Sequence, residues 1–358
     1  MKFAFVVTNL AGGGAEKALL KLSEALFTLG HEVHVVLLEH LIEHEIPHGV
    51  AVRSIFGKPE KVSKGWLGRR VLARGLSAAI SRDGPYDLVV STLPFADEVA
   101  CLARLPRHRC RIANTLSAEV ERLAVSDPRK AARRLARYRK LYRARALVAV
   151  SHGVAKDLRE RLGCRGPIAV IANPFDAAAL RAAAAAPASD LPAGPYVIHV
   201  GRFAPQKRHD LLLEAWARLD LPHRLVLLTP PDPQLELLIR RRGLEKRVLV
   251  AGFRANPYPW IAGAKLLVLC SDHEGLPNVL IEALLCGTPV LSTDCPSGPR
   301  EILGPALDKY LVPCGDPAAL AEGIARVLAS PYDPATADLG AYCAQAVAQA
   351  YVRLAEGA

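Results

Sequence analysis

No apolar run in the 358 residues reaches the roughly 18–20 needed to cross a bilayer as a helix, so a helical membrane protein is excluded. The apolar start, MKFAFVVTNLAGGGAE, is too short for a secretion signal and runs into glycines and an acidic helix start. It reads as a first β-strand, and the expected location is cytoplasmic. The eight cysteines, at 101, 110, 164, 270, 286, 295, 314 and 343, form no CxxC pair and none sits at zinc-finger spacing with histidines. They read as buried reduced thiols in a reducing compartment. No tandem repeat appears at periods of about 20–50 residues, which excludes solenoids and propellers. No acidic pair of the DxD kind follows an apolar strand, so no metal-holding motif is evident.

Acid is scarce in one half only. Residues 1–174 carry 29 Lys and Arg against 16 Asp and Glu, whereas residues 175–358 carry 17 against 19. The whole net charge of +11 therefore comes from the first half. A one-sided basic field points to a polyanionic partner: nucleic acid, anionic lipid or a phosphorylated acceptor.

The length suggests two domains, and about half the residues are apolar, enough for two cores. In the first half, short β-rich runs at 2–7, 32–38, 86–92, 111–114 and 146–151 alternate with helical spacing, including a helix over about 15–29. The series breaks after Ile171-Ala-Asn-Pro174, and the Ala-rich stretch 177–188 with the turn-rich 189–195 reads as a linker. A second series then begins. Strands are expected at 196–201, 224–229, 247–253, 265–271 and 289–293, with helices over about 207–219, 316–329 and 336–356. This rhythm implies two α/β domains with doubly wound parallel sheets, 1–174 and 190–335, separated by a ligand-binding cleft. The last helix, about 336–358, is expected to cross back onto the first domain.

The most informative stretch is CSDHEGLPNVLIEALLCGTPVLSTDCPSGPRE, 270–301. A strand ends, Gly275 allows a sharp turn, Leu276 follows, and Pro277 suits the first position of a helix. Asn278 and Val279 then supply backbone N–H groups at a helix start, a good phosphate site. Glu274 precedes the helix and Glu282 lies in its second turn, so both carboxylates can face one pocket and accept sugar hydroxyls. Read blandly, this is an acidic loop before a buried helix. In GRFAPQK, 201–207, Gly201 ends a strand, and Arg202 and Lys207 place two cations near the sheet's carboxyl edge. They would clamp a diphosphate and offset charge on a departing nucleotide; taken alone, they read as a solvated basic loop. Gly12-Gly13-Gly14 turns from the first strand into a helix but lacks full GxGxxG spacing. It suits close backbone approach to a phosphate or sugar, or to an acceptor, or is simply a tight turn.

Between 129 and 145 lie nine basic residues and no acid, with Leu135, Tyr138, Leu141 and Tyr142 at helical spacing. Arg129, Lys130, Arg133, Arg134, Arg137 and Lys140 would form a surface for anionic membranes or a phosphorylated lipid acceptor. Arg69, Arg70 and Arg74 could extend it. A solvated face of a packed helix is the bland alternative, and nucleic acid the competing partner.

GGGAE (12–16), VSHGVAKDL (150–158), NPFD (173–176), GRFAPQK (201–207) and EGLPNVLIEALLCGTPVLSTDCPSGPREIL (274–303) resemble, in order, the motifs of family-4 retaining glycosyltransferases of the GT-B fold. Within that family the sequence looks most like bacterial enzymes that build lipopolysaccharide, capsule or lipid-linked oligosaccharide. The resemblance implies that Arg202 and Lys207 contact the donor diphosphate and Glu274 holds the donor sugar. It implies that Glu282 holds the ribose, Asn278 and Val279 bind phosphate through their backbone, and Phe253 and Arg254 flank the base. The Gly12–Gly14 loop would close against the donor from the other domain. It further implies a uridine diphosphate donor, a membrane-associated glycan acceptor at the inner face of the cytoplasmic membrane, no metal and no other cofactor, and front-face displacement with retention. One departure stands out. Where many members carry a first-domain histidine, this chain reads RIANTLSAE, 111–119, leaving Asn114 or Ser117 in that neighbourhood. A GT-B-shaped epimerase or phosphorylase is the nearest alternative reaction. A nucleic-acid-binding protein is the remote one, because it leaves 274–282 unexplained.

Overall fold

The structure is a computed structural model, describing residues 1–56 and 65–357. Ala358, at the end of the expected last helix, lies outside the described residues. The chain divides into two compact units, Met1–Phe175 with the segment from Gly340 onward, and Asp176–Leu339.

The first unit runs β1 (Lys2–Val7), α1 (Gly14–Thr28), β2 (Glu32–Leu37), β3 (Ala51–Ser54), α2 (Trp66–Asp83), β4 (Leu88–Thr92), α3 (Pro94–Ala103), β5 (His108–Ile112), α4 (Leu116–Ser126), α5 (Pro128–Tyr142), β6 (Leu147–Ala149), α6 (His152–Glu160) and β7 (Ile168–Val170). Its seven strands lie in the order β3-β2-β1-β4-β5-β6-β7, all parallel. The central strand shows why. Phe3, Phe5 and Val7 join one core with Leu19, Leu22 and Leu26 of α1, while Ala4 and Val6 join another with Leu72, Leu76 and Val99 of the opposite helices. A strand apolar on both faces needs cover on both, which the crossover helices supply.

The second unit runs α7 (Ala177–Ala184), β8 (Tyr196–Val200), α8 (His209–Ala217), β9 (Arg224–Leu228), α9 (Pro233–Arg241), β10 (Val248–Val250), α10 (Tyr258–Ala262), β11 (Leu266–Leu269), α11 (Asn278–Leu285), β12 (Val290–Thr293), α12 (Pro299–Leu303), β13 (Leu311–Val312) and α13 (Pro317–Ala329). Its six parallel strands lie in the order β10-β9-β8-β11-β12-β13. The Ala-rich stretch read as linker contributes α7. The Asp176 carboxylate caps that helix by accepting from the Ala178 and Ala179 N–H groups. After Leu339 the chain rejoins the first unit, where Phe175 N–H donates to Tyr342 C=O (2.8 Å) and Ala344 N–H to Phe175 C=O (2.9 Å). Helix α14 (Ala344–Glu356) then buries Val347, Ala348, Tyr351 and Ala355 in the core of β1 and α1. The Tyr351 ring packs edge-on to Phe5, with centroids 6.3 Å apart.

No helix among the described residues is long and apolar enough to cross a membrane. The cysteines divide. Five are buried, Cys286 is partly so, and Cys314 and Cys343 are exposed, so burial does not extend to the whole set.

Candidate active site

In the second sheet the chain leaves β8 toward β9 and β10 on one side, then restarts at β11 and proceeds to β12 and β13 on the other. β8 and β11 are neighbours, with Val197 opposite Leu266 and Ile198 opposite Leu267. The crossovers from these two strands therefore diverge, leaving a crevice at their carboxyl ends, where parallel sheets bind ligands. The two stretches singled out in the sequence, 201–207 and 270–282, both begin there.

They are joined by a direct ion pair. Lys207 Nζ donates to Glu274 Oε1 at 2.6 Å, with the Glu274 side chain 9% and the Lys207 side chain 22% exposed. The backbone that sets this geometry is cross-linked at several points. Gln206 Nε2 donates to the His273 C=O (2.5 Å), and the Asp272 N–H donates to the Gln206 C=O (3.0 Å). Lys207 ends a single 3-10 turn, Pro205–Lys207, and the next residue, Arg208, lies in the left-handed region at φ 50. A non-glycine residue held there costs about 1–3 kcal/mol, so the surroundings must impose it. The Arg208 guanidinium bonds Asp210 at 3.0 Å and Asp272 at 2.8 Å, and these carboxylates, Asp210 first, hold it protonated above its ordinary range. Arg208 thus ties the two crossovers together beside the Lys207–Glu274 pair.

Beneath the lysine lie two buried imidazoles. His199, on β8, and His209, on α8, meet edge to face with centroids 4.7 Å apart, and His199 Nδ1 bonds the Val268 C=O at 2.9 Å. Burial pushes His199 well below its ordinary pKa, and burial followed by the Lys207 charge lowers His209 to about 4. Both are neutral at pH 7, so Lys207 is the cation at this point. Gly201 is tight for a reason. A Cβ there would sit 3.4 Å from His199 Nε2 and 3.6 Å from the Lys207 side chain.

Glu274 is also held from the other side, its N–H donating to the Pro296 C=O at 3.2 Å. The chain then passes Gly275 and Leu276 to Pro277, which caps α11 with no side-chain cap bond. Asn278 and Val279 are the first residues of that helix. The segment 296–298 presses on this start. Ser297 (φ 69) and Gly298 (φ 103) make a left-handed turn, and a Cβ on Gly298 would overlap Pro277 Cδ and lie 3.2 Å from Leu276 Cα. Glu282, one turn into α11, accepts from Tyr258 OH at 3.3 Å. Burial first, then Glu282, keeps that phenol protonated. Tyr258 starts α10 and ends the loop carrying Phe253 and Arg254. Phe253 is 68% exposed, while Arg254 pairs with Asp190 at 2.7 Å and lies over the Trp260 ring at 5.0 Å. Arg202 is exposed beside Gly201.

In the first unit, Gly12 (φ 124) has open space where a Cβ would be, and Gly13 caps α1 without a side-chain bond. Ser117 is committed, since its hydroxyl and N–H both donate to Asp157. The Asn114 carbonyl oxygen accepts from Thr115 N–H at 2.9 Å. Along α5, Arg129, Lys130, Arg133, Arg137 and Lys140 are exposed and Arg134 is half-buried. Arg134 pairs with Glu119 (2.5 Å) and Arg137 with Glu98, which also meets Arg69 at 3.4 Å. Tyr138 and Tyr142 are the buried face of this helix.

The fold therefore brings Lys207 and Glu274 into contact, sets Glu282 in the adjacent helix, and leaves Arg202 and Phe253 accessible. Gln206, Arg208, Asp272 and Tyr258 position these groups, and the partners that reveal this role lie 24 to 67 residues away in the chain.

Two Rossmann-like parallel sheets, with a cation–carboxylate pair at the switch point of the second, define a protein of the GT-B class. The chain belongs to the glycosyltransferases: residues 12–179 match Glycosyltransferase Family 4, and residues 194–330 match Glycosyl transferases group 1. It is similar to the N-acetylgalactosamine-N,N'-diacetylbacillosaminyl-diphospho-undecaprenol 4-alpha-N-acetylgalactosaminyltransferase of Campylobacter jejuni, 37% identical over 37% of each chain. It is also similar to the lipopolysaccharide core biosynthesis glycosyltransferase LpsE of Rhizobium meliloti, 31% identical over 51% of this chain and 54% of that one. The matches thus span from about a third to about half the length of these relatives. In fold it is similar to Anabaena Alr3699/HepE, solved with UDP and glucose, at a TM-score of 0.69 and 22% identity, covering 100% of this chain and 98% of that one.

Proposed function

We propose that the protein transfers a hexose or N-acetylhexosamine from a nucleotide sugar, a uridine diphosphate sugar in the first instance, to a glycan acceptor on a lipid carrier or lipopolysaccharide. The observation that carries this is the Lys207–Glu274 pair at the switch point of the second sheet. Lys207, with Arg202, supplies positive charge for the donor diphosphate, and α11 presents its start, Asn278 and Val279, to a phosphate. Glu274 accepts hydroxyls of the donor sugar, Glu282 those of the ribose, and the exposed Phe253 ring with Arg254 takes the base. The Gly12–Gly14 turn gives the first domain a place for close backbone approach to a ligand. The names of the relatives, which act on undecaprenol-linked and lipopolysaccharide acceptors, support the acceptor class.

The chemistry that fits is front-face displacement. The bond from the sugar C1 to the phosphate oxygen breaks as the acceptor oxygen bonds C1 on the same face. The acceptor proton passes to the leaving phosphate, and the anomeric configuration is kept. Lys207 and Arg202 do the charge stabilisation that a divalent metal does elsewhere, so transfer needs no added metal.

The acceptor side is supported by the first unit. Near the start of α2, Trp66 is 64% and Leu67 69% exposed, alongside exposed Arg70 and Arg74. Glu98 links α2 to α5 through Arg69 and Arg137. Apolar side chains ringed by cations suit peripheral attachment to an anionic membrane face.

A thermal-shift panel of nucleotide sugars, followed by product analysis with a lipid-linked acceptor and no added Mg²⁺ or Mn²⁺, tests the reading. A donor that stabilises the fold and gives a retained glycoside supports it. Consumption of free phosphate, or product formed without acceptor, would overturn it in favour of a phosphorylase or epimerase.

A further inference from the structure

Cys101, His108 and Cys110 lie together in the first unit. One ligand atom from each falls within 4.8 Å of the others, and the two sulfurs are 3.8 Å apart. Cys101 is in the last turn of α3, and His108 and Cys110 sit two apart on β5, so both point from one face of the sheet. Cys110 is fully buried, Cys101 nearly so, and His108 partly exposed. None of the residues assigned to donor or acceptor belongs to this cluster, so the proposed transfer reaction makes no use of it.

We propose that Cys101, Cys110 and His108 form a binding site for a zinc ion. Zinc–thiolate bonds of about 2.3 Å at a tetrahedral angle place two sulfurs about 3.8 Å apart. That is the observed separation, reached with no movement of α3 against β5. A disulfide needs about 2.05 Å, so the two sulfurs would have to close by nearly half the distance. Charge favours the same ion, because two thiolates neutralise a divalent cation and leave no net charge in a buried place.

The surroundings resemble the outer shell of a metal site. His108 Nε2 meets Ser91 Oγ at 2.9 Å, and Ser91 donates in turn to Asp97. Asp97 is fully buried and also accepts from Tyr142 OH at 2.7 Å. A metal-bound imidazole ordinarily has its second nitrogen held through such a chain to a carboxylate, which fixes tautomer and ring orientation. Ser91 thus steadies the His108 ring, which offers one nitrogen to the ion. Three protein ligands leave the fourth tetrahedral position to solvent at the partly exposed His108 side.

The test uses the full-length chain, reduced, stripped with chelator and desalted. Co²⁺ titration is expected to give a thiolate-to-cobalt charge-transfer band and tetrahedral d–d bands saturating at one ion per chain. Zn²⁺ should bleach both and raise the thermal midpoint. The Cys101→Ala/Cys110→Ala variant should lose the bands while remaining folded by circular dichroism. Ser91→Ala should keep them but weaken Zn²⁺ binding about tenfold. The proposal is overturned if folded wild-type protein shows no bands, or if the bands persist in the double variant, which would place the ion on other thiols. It is also overturned if air oxidation removes two thiols and the re-reduced chain still takes up no metal.

Discussion

Glu274, a residue 7% exposed to solvent, holds its carboxylate against Lys207, 67 positions earlier in the chain. Removing one charge from so enclosed a pair breaks a charge-assisted hydrogen bond, and in the proposed reaction both side chains face the donor. Glu274→Gln keeps the volume and is expected to lower kcat/KM by about ten- to a hundredfold, the worth of one charge-assisted hydrogen bond. Lys207→Ala should weaken nucleoside diphosphate binding by a similar factor, read by calorimetry. Unchanged transfer in the first or unchanged affinity in the second would remove the pair from the mechanism. The imidazoles below Lys207 make a separate statement about acid. A histidine held near 4 in the fold and near 6.5 when unfolded is bound by more protons in the unfolded chain between those values. Its contribution is therefore complete above about pH 6.5 and lost as pH falls. Between pH 7 and 5 His209 alone should cost about 2 kcal/mol. Denaturant melts at the two pH values should show this loss in wild type and a smaller one in His209→Asn.

At the scale of elements, the approach of segment 296–298 to the start of α11 admits nothing larger than glycine. Gly298→Ala adds a methyl that overlaps Pro277 at a backbone angle side chains rarely adopt. A cost of about 1–3 kcal/mol is expected. Because the displaced element carries Asn278 and Val279, nucleotide affinity should fall although residue 298 is not itself a proposed contact. Normal affinity in a destabilised Gly298→Ala protein would separate the loop from the site. The central strands were legible because they are apolar on both faces; β1, β8 and β11 lie where the sequence places them. The missed strands, β3, β7 and β13, lie at or beside sheet edges and are two to four residues long. β5 begins earlier than its apolar pattern suggests, because His108, Arg109 and Arg111 occupy strand positions. Arg111 is buried there and donates to Asn173 of the NPFD motif, a partnership that no local pattern announces. The alanine-rich 177–188 lacks the apolar stripe of a packed helix, yet alanine's intrinsic propensity and the Asp176 cap suffice for α7. The site followed the same division. Motif residues at strand ends were readable, and the side chains that position them were not.

Across the whole molecule the charge is segregated, and the surplus of basic residues lies before residue 175. The exposed cations of α5 are the part of that surplus proposed to meet an anionic surface; Arg134 and Arg137 are engaged by Glu119 and Glu98. Replacing Arg129, Lys130, Arg133 and Lys140 together by Glu should release the protein from vesicles containing phosphatidylglycerol. Binding by the wild type should weaken steeply with salt. Donor affinity should be unchanged, since none of these four residues is a proposed donor contact. Persistent vesicle binding by the variant would remove α5 from the acceptor reading.

The return of α14 to β1 and α1 also fixes an order of events during synthesis. The second unit is an insertion within the first, entered after Phe175 and left before Gly340. When residue 339 leaves the ribosome, every strand of the second sheet is available, whereas the first still lacks the helix that covers Phe5 and Leu22. The later-encoded half can therefore mature first, while the N-terminal half waits with an unsealed apolar face. A chaperone engaged on the nascent chain has that face as its natural client, and a stop codon anywhere before 344 would leave it permanently uncovered.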